Sequence, residues 1–438
     1  MKSWKLILAL LAVFALLAAA CGDDDDEGST EAPSDDSAEP APEPEPEPDD
    51  GASDDGASDD GATDDGGSGA TFDVDAALDA DLANCGEAPS GDPFIIGFAA
   101  DFSEAGGFAD IPIDEAARHW VDLINCSGGA AGTPVELVVE DVQGDPEVAQ
   151  RATSDLIAAG AHVILGPPFA DTGTAVLQEV EASRATIFVA STEPVLPDPA
   201  IWSYLTTFDD TRQAEAMAQF AIDQGFTRAI TFSSEGPYFG YNPETFAAKF
   251  EELGGELVLD QSYVPFEDFD FAAQANEVAA VSDGTEILYT AMIAPQLDAL
   301  RGQLEERGVE IDYAGADAFE VSGITEIPNN EGVYWTSHGF PENGNRFERL
   351  LISLEEAGTP SEAPGFAGLA GDSITMAITG FLDAGSADPA VIAEAIGQLA
   401  GVDAITDTIT YAGTNGVPDT PVYILQINGG ETVLAAKG

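Results

Sequence analysis

Positive charge is almost missing from this chain: 13 Lys and Arg stand against 81 Asp and Glu, a formal net charge of −68 at pH 7 over 438 residues. So acidic a surface repels phosphate backbones and anionic headgroups, which excludes nucleic acid as a partner and excludes membrane docking by charge. Histidine is scarce too. His119, His162 and His338 lie too far apart for metal-ligand spacing, and each has an ordinary structural reading, in a helix, at a strand opening and in an aromatic-rich turn. No Gly-x-Ser-x-Gly elbow and no Gly-x4-Gly-Lys phosphate loop occurs. Carboxylate pairs abound, but in such a composition they arise by chance and do not identify a general acid and base. No catalytic residue, metal or cofactor is expected, and an enzyme is the weakest functional reading.

Cysteine is limited to three residues, Cys21, Cys85 and Cys126. The first closes an amino-terminal pattern in which Lys2 and Lys5 precede an apolar run from Leu6 to Ala20. Basic residues, a short apolar stretch and small residues at the end describe a secretory signal, here residues 1–20. The run is shorter than the roughly 20 residues a helix needs to span a bilayer. Leu17-Ala18-Ala19-Ala20-Cys21 resembles the bacterial lipobox, although Ala18 replaces the commoner leucine. The resemblance implies lipidation of Cys21 and anchoring on the extracytoplasmic side of the cell membrane, which two or three acyl chains make stable. The plainer alternative is a cleaved signal with a stray cysteine. Cys85 and Cys126 remain as a pair, and an even pair in an exported chain suggests a disulfide, with two free thiols as the alternative.

Between Gly22 and Thr71 there is no Lys, Arg or aromatic residue. Acids, Pro, Ser, Gly and Ala fill the stretch, so it cannot bury a core. Pro42 to Pro48 alternates Pro and Glu, and Gly-Ala-Ser-Asp-Asp repeats from residue 51. Residues 21–71 therefore read as a lipidated cysteine with a disordered acidic tether, fifty residues of which reach on the order of 150 Å at about 3.1 Å each. The tether holds 20 of the acids, which leaves the remainder near a formal charge of −50. Such a charge suits a salty medium, where a Debye length of about 3 Å at 1 M screens self-repulsion.

Residues 92–438 form the folded body. Strand candidates are 94–99, 134–140, 162–165, 186–190, 228–232, 256–263, 287–291 and 332–335. Helical periods fall at 114–124, 146–159, 172–181, 210–224, 242–253, 271–281 and 294–307. This alternation predicts an α/β fold with parallel sheets covered on both faces, and Gly160, Gly225, Gly254 and Gly308 punctuate the helices.

The order of short motifs then becomes informative. Ile96-Gly97-Phe98 leads to Ser103-Glu104-Ala105-Gly106. Asn125 to Leu137 follows, then Glu140-Asp141, Asp145-Pro146, Ile164-Leu165-Gly166-Pro167, Ala190-Ser191-Thr192-Glu193-Pro194, Tyr238-Phe239-Gly240 and Tyr313 to Asp317, with a late helix at 371–385. Together they resemble the type I periplasmic binding proteins of the branched-chain amino acid group over nearly all of 94–434. The resemblance implies two Rossmann-like lobes joined by a three-stranded hinge, with residues 92–209 plus 338–408 in lobe one and 210–337 plus 409–438 in lobe two. It also implies a receptor that hands a small solute to the permease of an ATP-driven (ABC) importer.

Carried over residue by residue, the family's pocket maps Thr192 onto a hydroxyl that bonds a ligand carboxylate and Ala190 onto its backbone helper. Asp317 maps onto the acid that pairs with a ligand ammonium. Tyr238, Phe108 and Phe366 map onto aromatic walls. At a helix start where the family has a carboxylate-binding serine, this chain has Ala170 followed by Asp171, which either repels a ligand carboxylate or caps the helix facing away. A branched-chain or other hydrophobic amino acid is the leading expected ligand. A neutral amide, a urea-like or a cationic compound is the runner-up, and a sensory module without a transporter is the alternative function.

Overall fold

The computed structural model describes residues 72–438 apart from 181 and 182, so the signal segment, Cys21 and the acidic tether lie outside the described residues. The first lobe is built on a five-stranded sheet of order β2-β1-β3-β4-β5, formed by β1 (Phe94–Ala100), β2 (Val135–Asp141), β3 (Val163–Gly166), β4 (Ala185–Phe188) and β5 (Ser203–Leu205). All of its pairings are parallel. Strand β1 shows how the sequence covers both faces. Phe94, Ile96, Phe98 and Ala100 join a core with α2 (Gly107–Cys126) and α11 (Pro364–Ala384), while Ile95 and Ala99 meet α3 (Pro146–Ala158) and α4 (Ala170–Glu179) on the other side. Helix α11 is apolar enough in length and composition to span a membrane, but it is the buried core helix of this lobe.

The second lobe carries a seven-stranded sheet of order β14-β13-β10-β9-β8-β6-β7. Its strands are β6 (Arg228–Ser233), β7 (Glu256–Ser262), β8 (Glu286–Thr290), β9 (Asp312–Gly315), β10 (Tyr334–Ser337), β13 (Tyr423–Asn428) and β14 (Glu431–Lys437). Helices α5 (Asp210–Asp223) and α6 (Pro237–Glu252) pack on one face, and α7 (Ala272–Val281) and α8 (Ala294–Glu305) on the other. Phe246 stacks on Tyr289 at 4.2 Å within the first of these layers. The chain passes between the lobes at 205–210, 337–346 and 409–423, with the small hairpin of β11 (Val402–Asp403) and β12 (Thr408–Ile409) before the last passage.

The expected two-lobed α/β architecture is present, with three differences. The second sheet ends in an antiparallel pair, β13 against β10 and β14 against β13. Asn428-Gly429-Gly430 turns that hairpin with both glycines at positive φ, a signal the strand search passed over. Helix α2 begins at Gly107 and not at Asp114, since Pro112 lies within its first turns without ending it, whereas the sequence pattern places the start after the proline. Helices α10 (Arg346–Ala357) and α12 (Pro389–Ile396), and the three-residue β5, were not anticipated. Gly160, Gly225, Gly254 and Gly308 do all adopt positive φ after their helices.

The described part of the segment ahead of residue 92 begins at Phe72. A short helix α1 (Val74–Leu78) buries Val74, Ala77 and Leu78 in the first lobe's core. Arg346 and Arg349 of α10 both bond the Asp75 carboxylate, at 2.7 and 2.6 Å, and Arg349 also reaches Asp79 at 2.7 Å. The hydrogen bond from Arg346 leads the causes that hold Asp75 down at about 2. Cys85 and Cys126 form the expected disulfide, joining this segment to the end of α2 with Cα atoms 4.8 Å apart.

Candidate functional site

In an open parallel sheet the carboxyl ends of the strands, where strand order reverses, form a ready crevice. Here β1 lies between β2 and β3, and β6 lies between β7 and β8, so each sheet has such a reversal. The segments after β1, β3, β4, β6, β8 and β9 converge there. They supply Phe108 and Ala109, Pro168 and Phe169, Ala190, Thr192 and Glu193, Tyr238 and Phe239, Ile293, and Asp317 with Ala318; Phe366 adds the start of α11. These side chains surround about 470 Å³ of space free of atoms, part of it open to solvent. Of that, only about 40 Å³ can hold the centre of a water-sized molecule, so the walls lie close together in this form. Across the mouth, the rings of Phe108 in one lobe and Phe266 in the other are 6.3 Å apart.

Six of the eight residues singled out from the sequence, Phe108, Ala190, Thr192, Tyr238, Asp317 and Phe366, line this cavity. The other two do not. Asp171 is exposed, and its carboxylate accepts from the N–H of Thr172 at 2.8 Å, so it turns onto its own helix instead of into the cleft. The Ala170 side chain is not part of the wall either; its backbone N–H donates to Glu193 Oε1 at 3.1 Å. A local Asx-type bond competes well with pointing a charge into an apolar cavity, which accounts for the orientation of Asp171.

The polar side of the cavity is one connected, buried network. Thr192 donates to Asp210 Oδ1 at 2.6 Å, and Gln213 Nε2 bridges Asp210 Oδ1 at 2.8 Å and Asp317 Oδ1 at 3.1 Å. Tyr238 OH donates to Asp317 Oδ1 at 2.6 Å while accepting from the N–H of Ala318 at 3.0 Å. Thr336 holds the Gln213 carbonyl at 2.6 Å, which fixes the orientation of that amide. His338 Nε2 lies 3.2 Å from Asp317 Oδ2, its ring stacked on Phe208 and edge-on to Phe366.

Burial works against the Asp317 charge, yet the neighbouring His338 and the bonds from Tyr238 and Gln213 outweigh it and hold this carboxyl below its ordinary value. Asp210, equally buried and facing the Asp317 charge, is pushed well above. The pair is thus set to carry one negative charge between two acids. Burial also pushes Tyr238 well above its ordinary value, helped by Asp317 and Asp210, so its phenol stays protonated.

Sequence reasoning missed Asp210, Gln213, Glu193 and the placement of His338 against Asp317. Glu193 stood inside a quoted motif. Gln213 and Asp210 carried no signal, because a polar residue at a helix start is ordinary until its helix is known to point into a cleft. Among the described residues, no Lys or Arg lines the cavity and no group of three or more His, Cys, Asp or Glu is arranged to hold a metal ion.

Two α/β lobes thus enclose a small, mainly apolar cavity with a buried polar anchor, a candidate site for a small solute. A sequence profile of periplasmic binding proteins matches residues 93–432, and the chain belongs to that family. Among curated relatives, a leucine-, isoleucine-, valine-, threonine- and alanine-binding protein of Pseudomonas aeruginosa is 22% identical over 282 residues, covering 63% of this chain and 74% of the relative. The branched-chain amino acid transporter substrate-binding protein of Streptococcus pneumoniae in complex with isoleucine has a TM-score of 0.67 at 18% identity, covering 79% of this chain and 98% of that one. A solute-binding protein of an ABC transporter from R. palustris in complex with benzoate has a TM-score of 0.66 at 18% identity, covering 79% and 96%. At such identities the solved structures speak for the fold alone.

Proposed function

We propose that this chain is the extracytoplasmic receptor of an ABC importer, capturing a small solute in the interlobe cavity and presenting the closed form to a permease. In this reading residues 1–20 are the export signal, Cys21 carries the lipid, 21–71 is the tether, and the lobes take 92–209 with 338–408 and 210–337 with 409–438.

Of the two ligand classes the sequence leaves open, the hydrogen-bond inventory favours the donor-bearing one, an amide, urea-like or cationic compound with an apolar body. The carrying observation is where the protons go. Thr192 and Tyr238 are the hydroxyl-bearing side chains on the cavity wall, and both spend that proton on the acids Asp210 and Asp317. A ligand carboxylate needs donors, and a hydroxyl has only one proton to give. What these groups still offer is lone pairs, which suit N–H groups on a ligand whose apolar part lies against Phe108, Phe239, Ile293 and Phe366.

The second reading, a hydrophobic amino acid, draws support from the relatives that are named for leucine, isoleucine and valine. A thermal-shift screen separates the two. A ligand at 100 times its Kd stabilises by about 2.7 kcal/mol, so amides, ureas and amines are expected to raise the melting temperature where leucine, isoleucine and benzoate do not. A shift confined to leucine and isoleucine would reverse the order of the two readings. Metabolic labelling of wild type and Cys21→Ser with a radioactive fatty acid tests the anchor, since label on the variant would place the lipid elsewhere.

A further inference from the structure

Glu193 sits between the apolar cavity and the start of α4, and neither role assigned to the cavity so far uses it. It is only 3% exposed and forms part of the cavity wall. Its Oε1 accepts the Ala170 N–H at 3.1 Å, on a ten-residue helix whose N-cap residue, Phe169, makes no side-chain capping bond. Its Oε2 is buried without a hydrogen-bond partner among the described residues. An orphaned carboxylate oxygen costs more to leave unmade than a bond gains, so a buried one facing a cavity marks the point where a ligand atom completes the site.

The first amides of a helix attract anions. Here the protein's own carboxylate sits on one of them. Above about pH 7, where Glu193 carries its charge, a ligand carboxylate approaching α4 would have to displace it and then lie beside it, two negative charges in a poorly solvated pocket already holding the Asp317 charge. An N–H donor meets the opposite situation, because it satisfies Oε2 and leaves the Ala170 bond intact.

We propose that Glu193 is the specificity-determining residue of the cavity: one oxygen closes the amino terminus of α4 to ligand carboxylates, and the other receives an N–H of an amide or amidinium group. This rests on the reading of the interlobe cavity as the ligand site. The chemical class selected is a compact, carboxylate-free solute with an apolar body and a planar nitrogen head.

Three probes of one shape isolate the head group: benzoate, benzamide and benzamidine. Calorimetric titration of the full folded protein in buffer well above pH 7, where Glu193 is charged, is expected to give binding of benzamidine or benzamide at least tenfold tighter than benzoate. Glu193→Ser should free the Ala170 N–H, strengthen benzoate at least tenfold and weaken benzamidine at least tenfold. Glu193→Gln keeps the shape, guards against loss of folding in the serine variant, and should weaken benzamidine while holding benzamide within about threefold. If the wild type binds a probe but the order of the three is the same in wild type, E193S and E193Q, the role of Glu193 is overturned while the cavity stands. A wild type that prefers benzoate overturns it equally. If none of the three probes and no compound of the thermal screen binds, the cavity reading itself fails and takes this inference with it.

Discussion

Glu320 of the second lobe accepts a hydrogen bond from the backbone N–H of Gly365 in the first, and Ser337 Oγ donates to its other oxygen at 2.7 Å. The carboxylate thereby caps α11, whose N-cap residue Ala363 offers no side-chain bond. A Cβ at position 365 would meet the Glu320 oxygens at 2.9 and 3.0 Å, so the approach depends on glycine there. Because the partners sit on different lobes, opening the cleft breaks the bond. Glu320→Ala and Gly365→Ala are each expected to speed ligand release about tenfold, the worth of a charge-assisted hydrogen bond of about 1.5 kcal/mol. Stopped-flow dissociation checks this. Rates equal to wild type in both variants would remove the latch.

The pH dependence follows from acids that burial holds in their neutral form. Glu193 is raised from 4.5 to about 7 by burial, with the Asp171 charge adding to it and the Ala170 bond opposing; Asp372 is raised from 3.8 to about 6 by burial, against bonds from Thr406 and Ile405. The folded form then holds more protons than the unfolded chain between about pH 4 and pH 7, and stability falls as pH rises through that window. Asp75 and Glu286, both lowered to about 2, act with the opposite sign and lose their contribution only as pH falls towards 2. The ligand-free protein should melt highest in mildly acidic buffer, and Glu193→Gln should flatten the upper part of the profile. An unchanged profile in that variant would contradict the assignment.

The Cys85–Cys126 bridge closes a loop with a sequence separation of 41 residues. Chain-entropy reasoning gives about 4 kcal/mol for a loop of that size. A Cys85→Ser, Cys126→Ser double variant should lose most of that in a denaturant titration, and reductant should lower the wild-type midpoint without affecting the variant.

Repulsion within a body of formal charge near −50 should make stability rise with ionic strength. The midpoint of thermal unfolding is expected to climb between about 0.1 and 1 M sodium chloride, where the Debye length shrinks from about 10 to about 3 Å. A flat or falling midpoint would show that self-repulsion does not limit the stability of the fold.

Strand and helix alternation could be read because a parallel sheet buried on both faces needs continuous apolar runs, and β3, whose four residues are all buried, is such a run. The antiparallel edge could not be read the same way, since in β14 exposed and half-buried residues dilute the pattern. The cavity wall was partly legible. Phe108, Tyr238 and Asp317 follow strands directly and sit in recognisable motifs, whereas Gln213 enters from a helix turn and Glu193 had to be seen against Ala170 before its charge meant anything. Asp171 shows the limit of transferring a position: one residue's rotation about a helix start decides between the cleft and the solvent.

The segment from Val74 to Cys85 is fastened at two places, by the arginines of α10 on Asp75 and by the bridge from Cys85 to α2, and both partners belong to the lobe of the five-stranded sheet. Whatever force reaches the chain at Phe72 is therefore borne by one jaw only. In the proposed tethered receptor the second lobe would then carry no load from the anchor.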